Sequence, residues 1–171
     1  MISVKQDCVV KSVLMPNTSL EGLSVLVVED VDAIRSLVVK IVEGLGAAHV
    51  AQAFGVQTAF EALETAQFDV MLLDYELNGR DGLEIVKTLR QTVSHINHDM
   101  PIVLLTGHSE KHIVQDAVMA GADDYLVKPV MPDVLGKRVK KVIAARDAAG
   151  DGGVPKSEVV WSRASAGLNR S

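Results

Sequence analysis

Five polar residues in this chain stand where apolar runs stop. Glu29 and Asp30 follow "VLVV" at 25–28, Asp74 follows "VMLL" at 70–73, Thr106 follows "IVLL" at 102–105, and Lys128 follows "YLV" at 125–127. Taken singly, each has an ordinary explanation. An acidic pair after a strand caps a helix or faces water. A strand-end Asp is commonly a cap or turn residue. Thr is a good β former, and a Lys before a proline is an ordinary loop residue. Taken together they make a chemistry. Carboxylates held close repel one another unless a cation lies between them, and hard oxygen ligands completed by water suit Mg²⁺. A carboxylate can act as a nucleophile and become an acyl phosphate. A metal and a lysine can then neutralise the phosphoryl oxygens, while a threonine hydroxyl bonds another. Asp74, which ends the apolar run in "DVMLLDYELNGRDG", is the residue this arrangement would phosphorylate.

The elements around these residues must bring them to one place. Apolar runs at 24–30, 48–53, 69–74, 101–106 and 124–128 read as strands. Between and after them, three-and-four apolar spacing predicts helices. The first carries Ile34, Leu37, Val38, Ile41, Val42 and Leu45 and ends at Gly44 and Gly46. Others run over 57–66, 83 to about 92 with Leu83, Val86, Leu89 and Arg90 in register, and 109–119, closed by Gly121. The last runs from 132 to about 146 with Val134, Leu135, Val139, Val142 and Ile143 facing inward. Strands each followed by a helix give a parallel sheet covered on both faces. Right-handed crossovers make it a doubly wound α/β three-layer sandwich. In such sheets the ligand site lies beyond the carboxyl ends of the strands, which is where the five polar residues fall.

The chain has 171 residues, enough for one domain with extensions. With 48% hydrophobic residues it can bury a substantial core. A net charge of -5 with interspersed signs argues against a nucleic-acid surface, and the basic cluster at 137–141 reads as a solvated helix face. Cys8 is the only cysteine, so no internal disulfide forms. No apolar run approaches the ~20 residues of a membrane span, and no signal-peptide pattern opens the chain. A cytoplasmic location is expected. Residues 22–147 are expected to form the domain, with mobile extensions at 1–21 and 148–171.

The segments "VLVVED", "VMLLDYELNGRDGLEI", "PIVLLTG" and "GADDYLVKP", in this order, resemble the receiver domains of two-component response regulators, the CheY-like family. The resemblance runs through residues 22–147. It implies a five-stranded sheet of order 2-1-3-4-5. It also implies that Asp74 accepts a phosphoryl group from a histidine kinase or a histidine phosphotransfer protein. Asp30 would bind Mg²⁺ directly and Glu29 through water, with the backbone carbonyl of Glu76 as a further ligand. Thr106 would be the switch hydroxyl, Lys128 the phosphoryl partner, Pro129 the site of a cis bond, and Tyr125 the aromatic switch. Glu76 and His108 stand at variable positions that tune the lifetime of the phosphoryl group.

The resemblance implies a signalling switch, not an enzyme, that acts through a protein contact without direct binding to nucleic acid or membrane. A phosphorelay intermediate shares every motif and stays open. A haloacid-dehalogenase-type phosphatase fits less well, because its nucleophile comes first in the chain and its acidic pair after the lysine. Lys111, Asp123, Asp124 and Lys137 suggest a phosphorylation-dependent homodimer through the fourth and fifth helices and fifth strand, but Asp133 stands where such regulators carry arginine. The remaining histidines, His49, His95, His98 and His112, lack metal-ligand spacing and are expected at the surface. Too few residues follow 147 for an output domain, so a single-domain regulator is expected, unless the chain is excised from a longer one.

Overall fold

The structure is a computed structural model, and it describes residues 18–108 and 110–149. The elements are β1 (Ser24–Val28), α1 (Asp32–Gly44), β2 (His49–Ala53), α2 (Val56–Thr65), β3 (Val70–Asp74), α3 (Leu83–Gln91), β4 (Ile102–Thr106), α4 (Lys111–Ala120), β5 (Asp124–Val127) and α5 (Pro132–Ala149). The strands form one parallel sheet in the order β2-β1-β3-β4-β5. This is the doubly wound α/β fold anticipated from the sequence. No helix among the described residues is long and apolar enough to cross a membrane.

Alternation along the strands builds two core layers, because successive side chains in a strand point to opposite faces. Leu26, Val28, Met71, Leu73, Ile102 and Leu104 face the layer that includes Ala59 and Leu63 of α2, Ile85, Val86 and Leu89 of α3, and Ala117 of α4. Val25, Val27, Val70, Leu72, Val103 and Leu105 face Val38 and Val42 of α1 and Leu135, Val139 and Val142 of α5. Every residue of β3 and β4 is buried. Their apolar runs are continuous because both faces need apolar side chains. β2 is an edge strand of mixed exposure, which is why its signal in the sequence is weak.

Several expectations need correction. Residues 18–21 belong to the folded unit rather than to a mobile extension. Leu20 is fully buried in the layer between α1 and α5, and its N–H donates to the Leu45 carbonyl at 2.8 Å. Just before it the chain crosses α5 so closely that a Cβ on Gly136 would lie 2.3 Å from the Thr18 carbonyl oxygen. Gly136 is therefore a socket for the backbone. Val134, expected to face inward, is 39% exposed. Leu37, on the expected apolar face of α1, is exposed as well. The expectations for residues 1–17 and 150–171, including Cys8 and the mobile tails, and for Ser109 as the first residue of α4, lie outside the described residues.

Asp123 and Asp124 are not surface residues available to a dimer. Asp123 is buried at the amino edge of the sheet. It accepts from Arg146 Nε at 2.6 Å, from Arg90 Nη2 at 3.1 Å and from the Ile102 N–H at 2.9 Å. Asp124 is fully buried against Arg138, at 2.9 and 3.0 Å. Both carboxylates are thus committed within the chain, and Arg138 leaves the solvated face expected of the 137–141 cluster. His98 also departs from expectation: its ring is half-buried, with Nδ1 3.1 Å from the Leu89 carbonyl.

Candidate functional site

Strand register brings the polar residues together. Val28 of β1 pairs with Leu73 of β3, so Glu29, Asp30 and Asp74 leave the sheet side by side. Asp74 pairs with Leu105 and Thr106 with Val127, which brings Thr106 and Lys128 in from the other flank. Glu29, Asp30, Asp74, Glu76, Thr106, His108 and Lys128 all line one open cavity of about 370 Å³. Tyr125 does not line it; the ring is half-buried and packs against the α2, α3 and α4 layer. The Lys128–Pro129 peptide is cis.

Lys128 is the cation within this group. Its Nζ lies 2.6 Å from Glu29 Oε2 and 3.0 Å from Asp74 Oδ1. Glu29 is fully buried, and Asp74 is nearly so. The carboxylate of Glu29, to which the resemblance gives a role through water, is a direct partner of Lys128 and also accepts from the Val31 N–H at 3.2 Å. Burial pushes the Asp74 carboxyl up to about 6, and Glu29 adds to the rise against the opposing pull of Lys128. Burial disfavours the Lys128 ammonium, but hydrogen bonds and charges from Glu29 and Asp74 outweigh it and hold the group above its ordinary range.

One ammonium does not balance the carboxylates around it. Glu29, Asp30 and Asp74 each offer an oxygen, and these lie within 4.8 Å of one another. A donor set of carboxylate oxygens on an open cavity fits a hard divalent cation that keeps part of its water shell. The residues present therefore fit a Mg²⁺ ion.

Thr106 is buried, and its hydroxyl is engaged on both sides. Oγ1 donates to the His108 carbonyl at 3.1 Å and accepts from the His108 N–H at 3.0 Å. His108, two residues beyond the end of β4, thus holds the hydroxyl against its own loop.

The turn beyond Asp74 holds residues that sequence reasoning missed. Asn78 and Gly79 both have positive φ, 52° and 75°. They form the corner of a hairpin in which Glu76 pairs with Asp81 and Leu77 with Arg80. An Asn-Gly doublet is the usual signature of such a corner, so the signal was present. Gly82 then passes directly beneath the site. A Cβ there would lie 2.2 Å from the Asp74 carbonyl oxygen, while the Gly82 N–H donates to the Tyr75 carbonyl at 2.7 Å.

The sequence matches the response regulator receiver domain family over residues 25–140. The chain is 34% identical over 126 residues to the cyclic di-GMP phosphodiesterase response regulator RpfG of Xanthomonas campestris, covering 73% of this chain and 33% of that protein. It is 25% identical over 120 residues to the chemotaxis protein CheY of Pseudomonas aeruginosa, covering 70% of this chain and 95% of that one. Thus the chain spans a third of RpfG and nearly all of CheY. Among solved structures, it superposes with a TM-score of 0.62 and 24% identity on a response regulator from Burkholderia pseudomallei with a phosphorylated aspartic acid, calcium ion and citrate, covering 77% of this chain and 76% of that one. On the match to most of its length, the chain belongs to the response regulator receiver domain family.

Proposed function

We propose that this chain is a phosphorylation-activated switch of the cytoplasm, fed by a histidine kinase or a histidine phosphotransfer protein. Asp74 is the acceptor. The observation that carries this reading is the Asp74 carboxylate, buried at a strand end, 3.0 Å from Lys128 and grouped with Glu29 and Asp30. In the transfer, an Asp74 oxygen attacks phosphorus, the P–N bond to the donor imidazole breaks, and the imidazole nitrogen leaves with the electron pair. Asp30, Asp74 and the Glu76 carbonyl would hold Mg²⁺, with Glu29 at its margin beside Lys128. Bound there, Mg²⁺ would neutralise charge on the phosphoryl oxygens.

The chain's own residues do the rest. Lys128 already bridges Glu29 and Asp74, so a phosphoryl group on Asp74 meets an ammonium in place. Thr106 can donate to that group only by giving up its hydrogen bond to the His108 carbonyl. The phosphoryl group therefore has a different affinity for two conformations, which is the requirement for a switch. The output is a protein contact through the face bearing Tyr125 and α4. The chain assists only its own phosphorylation and dephosphorylation.

Incubation with an acyl phosphate and Mg²⁺ should label the protein, and Asp74→Asn should abolish the label. Strong labelling of the Asn variant at another residue would overturn the assignment. A beryllofluoride complex should shift amides around Thr106 and Tyr125 as well as at the acidic cluster. Shifts confined to Glu29, Asp30 and Asp74 would instead favour a relay in which Asp74 only stores phosphate.

A further inference from the structure

Asp30 lies in the loop between β1 and α1, and its carboxylate is held by a residue from a different loop. The Asn78 N–H donates to Asp30 Oδ2 at 2.9 Å. The Asn78 side chain reaches the other way, and its Nδ2 donates to the Phe54 carbonyl at 3.1 Å, on the loop after β2. One residue thus ties three loops at the carboxyl edge of the sheet. Its left-handed backbone makes this possible, because at φ 52° its amide can face Asp30 while the side chain turns to Phe54. Asn is among the few residues with a side chain that tolerate that region. Gly55 keeps the path open: a Cβ there would lie 3.3 Å from Asn78 Nδ2.

We infer that Asn78 is a positioning residue for the metal ligand Asp30, its backbone amide aiming the carboxylate and its side-chain amide anchoring that backbone to Phe54. The inference rests on the reading of Asp30 as a Mg²⁺ ligand. An ionised carboxylate has about four acceptor sites, so one N–H bond leaves others for a cation. Partners in the outer shell fix the orientation of a ligand before the metal arrives, and their loss weakens binding without removing a ligand. Asn78 suits this role because it offers Asp30 a neutral donor and adds no charge to the cluster.

The test is a Mg²⁺ titration of the full chain followed by amide chemical shifts. Asn78→Gly keeps a residue at ease with positive φ and removes only the anchor. It should weaken Mg²⁺ binding about tenfold, with the thermal midpoint little changed and slow acyl phosphate labelling recovered by excess Mg²⁺. Gly55→Ala should weaken binding by a smaller factor in the wild-type chain, by crowding the Asn78 amide, and cause no further loss in the Asn78→Gly background. Equal Mg²⁺ affinity in wild type and Asn78→Gly would overturn the inference. So would a Gly55→Ala effect of the same size in both backgrounds. If the wild-type chain shows no Mg²⁺-dependent shifts at Glu29, Asp30 and Asp74, the metal reading itself falls.

Discussion

The two edges of the sheet each bury a cluster of charges, and they do so in opposite ways. At the amino edge, Asp123 receives Arg90 and Arg146, and Arg146 also meets Asp99 at 3.3 Å. Two carboxylates face two guanidiniums, and the remaining Arg90 donors go to the carbonyls of Gly121, His98 and Met100. Signs balance and donors are used. Arg90 is still pulled down to about 10, by burial and by Arg146, with Asp123 opposing; it stays charged at any ordinary pH. At the carboxyl edge, Glu29 and Asp74 share one lysine with Asp30 grouped beside them, and Asp74 is pushed up to about 6. The balanced cluster is a brace between α3, β4, β5 and α5. The unbalanced one is destabilising until a cation or a change at Asp74 relieves it. Similar residue types therefore give structure or function according to whether their charges close.

Substitutions at the two edges should have opposite signs. Asp123→Asn leaves two buried guanidiniums without their shared carboxylate and should cost about 3–5 kcal/mol in urea unfolding. A cost below 1 kcal/mol would mean that the brace is not a brace. Asp74→Asn should stabilise the metal-free protein at pH 7.5 by about 1–2 kcal/mol. The sign follows from a folded value near 6 against 3.8 for the ordinary group. Ionisation is harder in the folded state, so wild-type stability falls as pH rises from about 4 through 6 and stays low above. The gain from Asn should fade as pH is lowered across that window, and a gain independent of pH would refute the cause given.

Mg²⁺ should raise wild-type stability by about 1.4 kcal/mol at ten times its dissociation constant. It should do much less for Asp30→Asn at the same concentration, as thermal shifts would report. The smallest effect belongs to a surface control. Arg80, on the hairpin, and Glu84, in the first turn of α3, pair at 2.8 Å, both well exposed. Glu84→Gln should change stability by less than about 0.5 kcal/mol. A larger loss there would undo the contrast between buried and exposed charges.

The carboxyl edge was legible in the sequence because its residues sit where apolar runs stop, a signal local to each strand. The amino edge was not. Asp123 lies 33 residues from Arg90 and 23 from Arg146, and nothing local to "GADDY" distinguishes a buried acid from a surface one. Leu20 escaped for the same reason: one leucine between Ser19 and Glu21 has no period, and its burial depends on α1 and α5 closing over it. The continuous runs of β3 and β4 announced their burial, whereas the edge strand β2, of mixed exposure, carries a weaker signal. The Asn78–Gly79 corner carried its signal openly. What the sequence withheld was the partner of Asn78, because Asp30 lies 48 residues away.

The doubly engaged Thr106 hydroxyl has a consequence for the fidelity of a signal. On the switch role proposed for Thr106, a molecule that flips without being phosphorylated gives up both hydrogen bonds to His108 and gains no phosphoryl oxygen in return. At a net value near 1 kcal/mol for each bond, the flip costs about 2 kcal/mol. Spontaneous excursions are thereby held to a few per cent of the population. In the switch proposed above, that fraction is the background against which a true message is heard. A hydroxyl that both donates and accepts at rest sets a quiet baseline, and the contrast between silence and signal is built into the two atoms that His108 lends it.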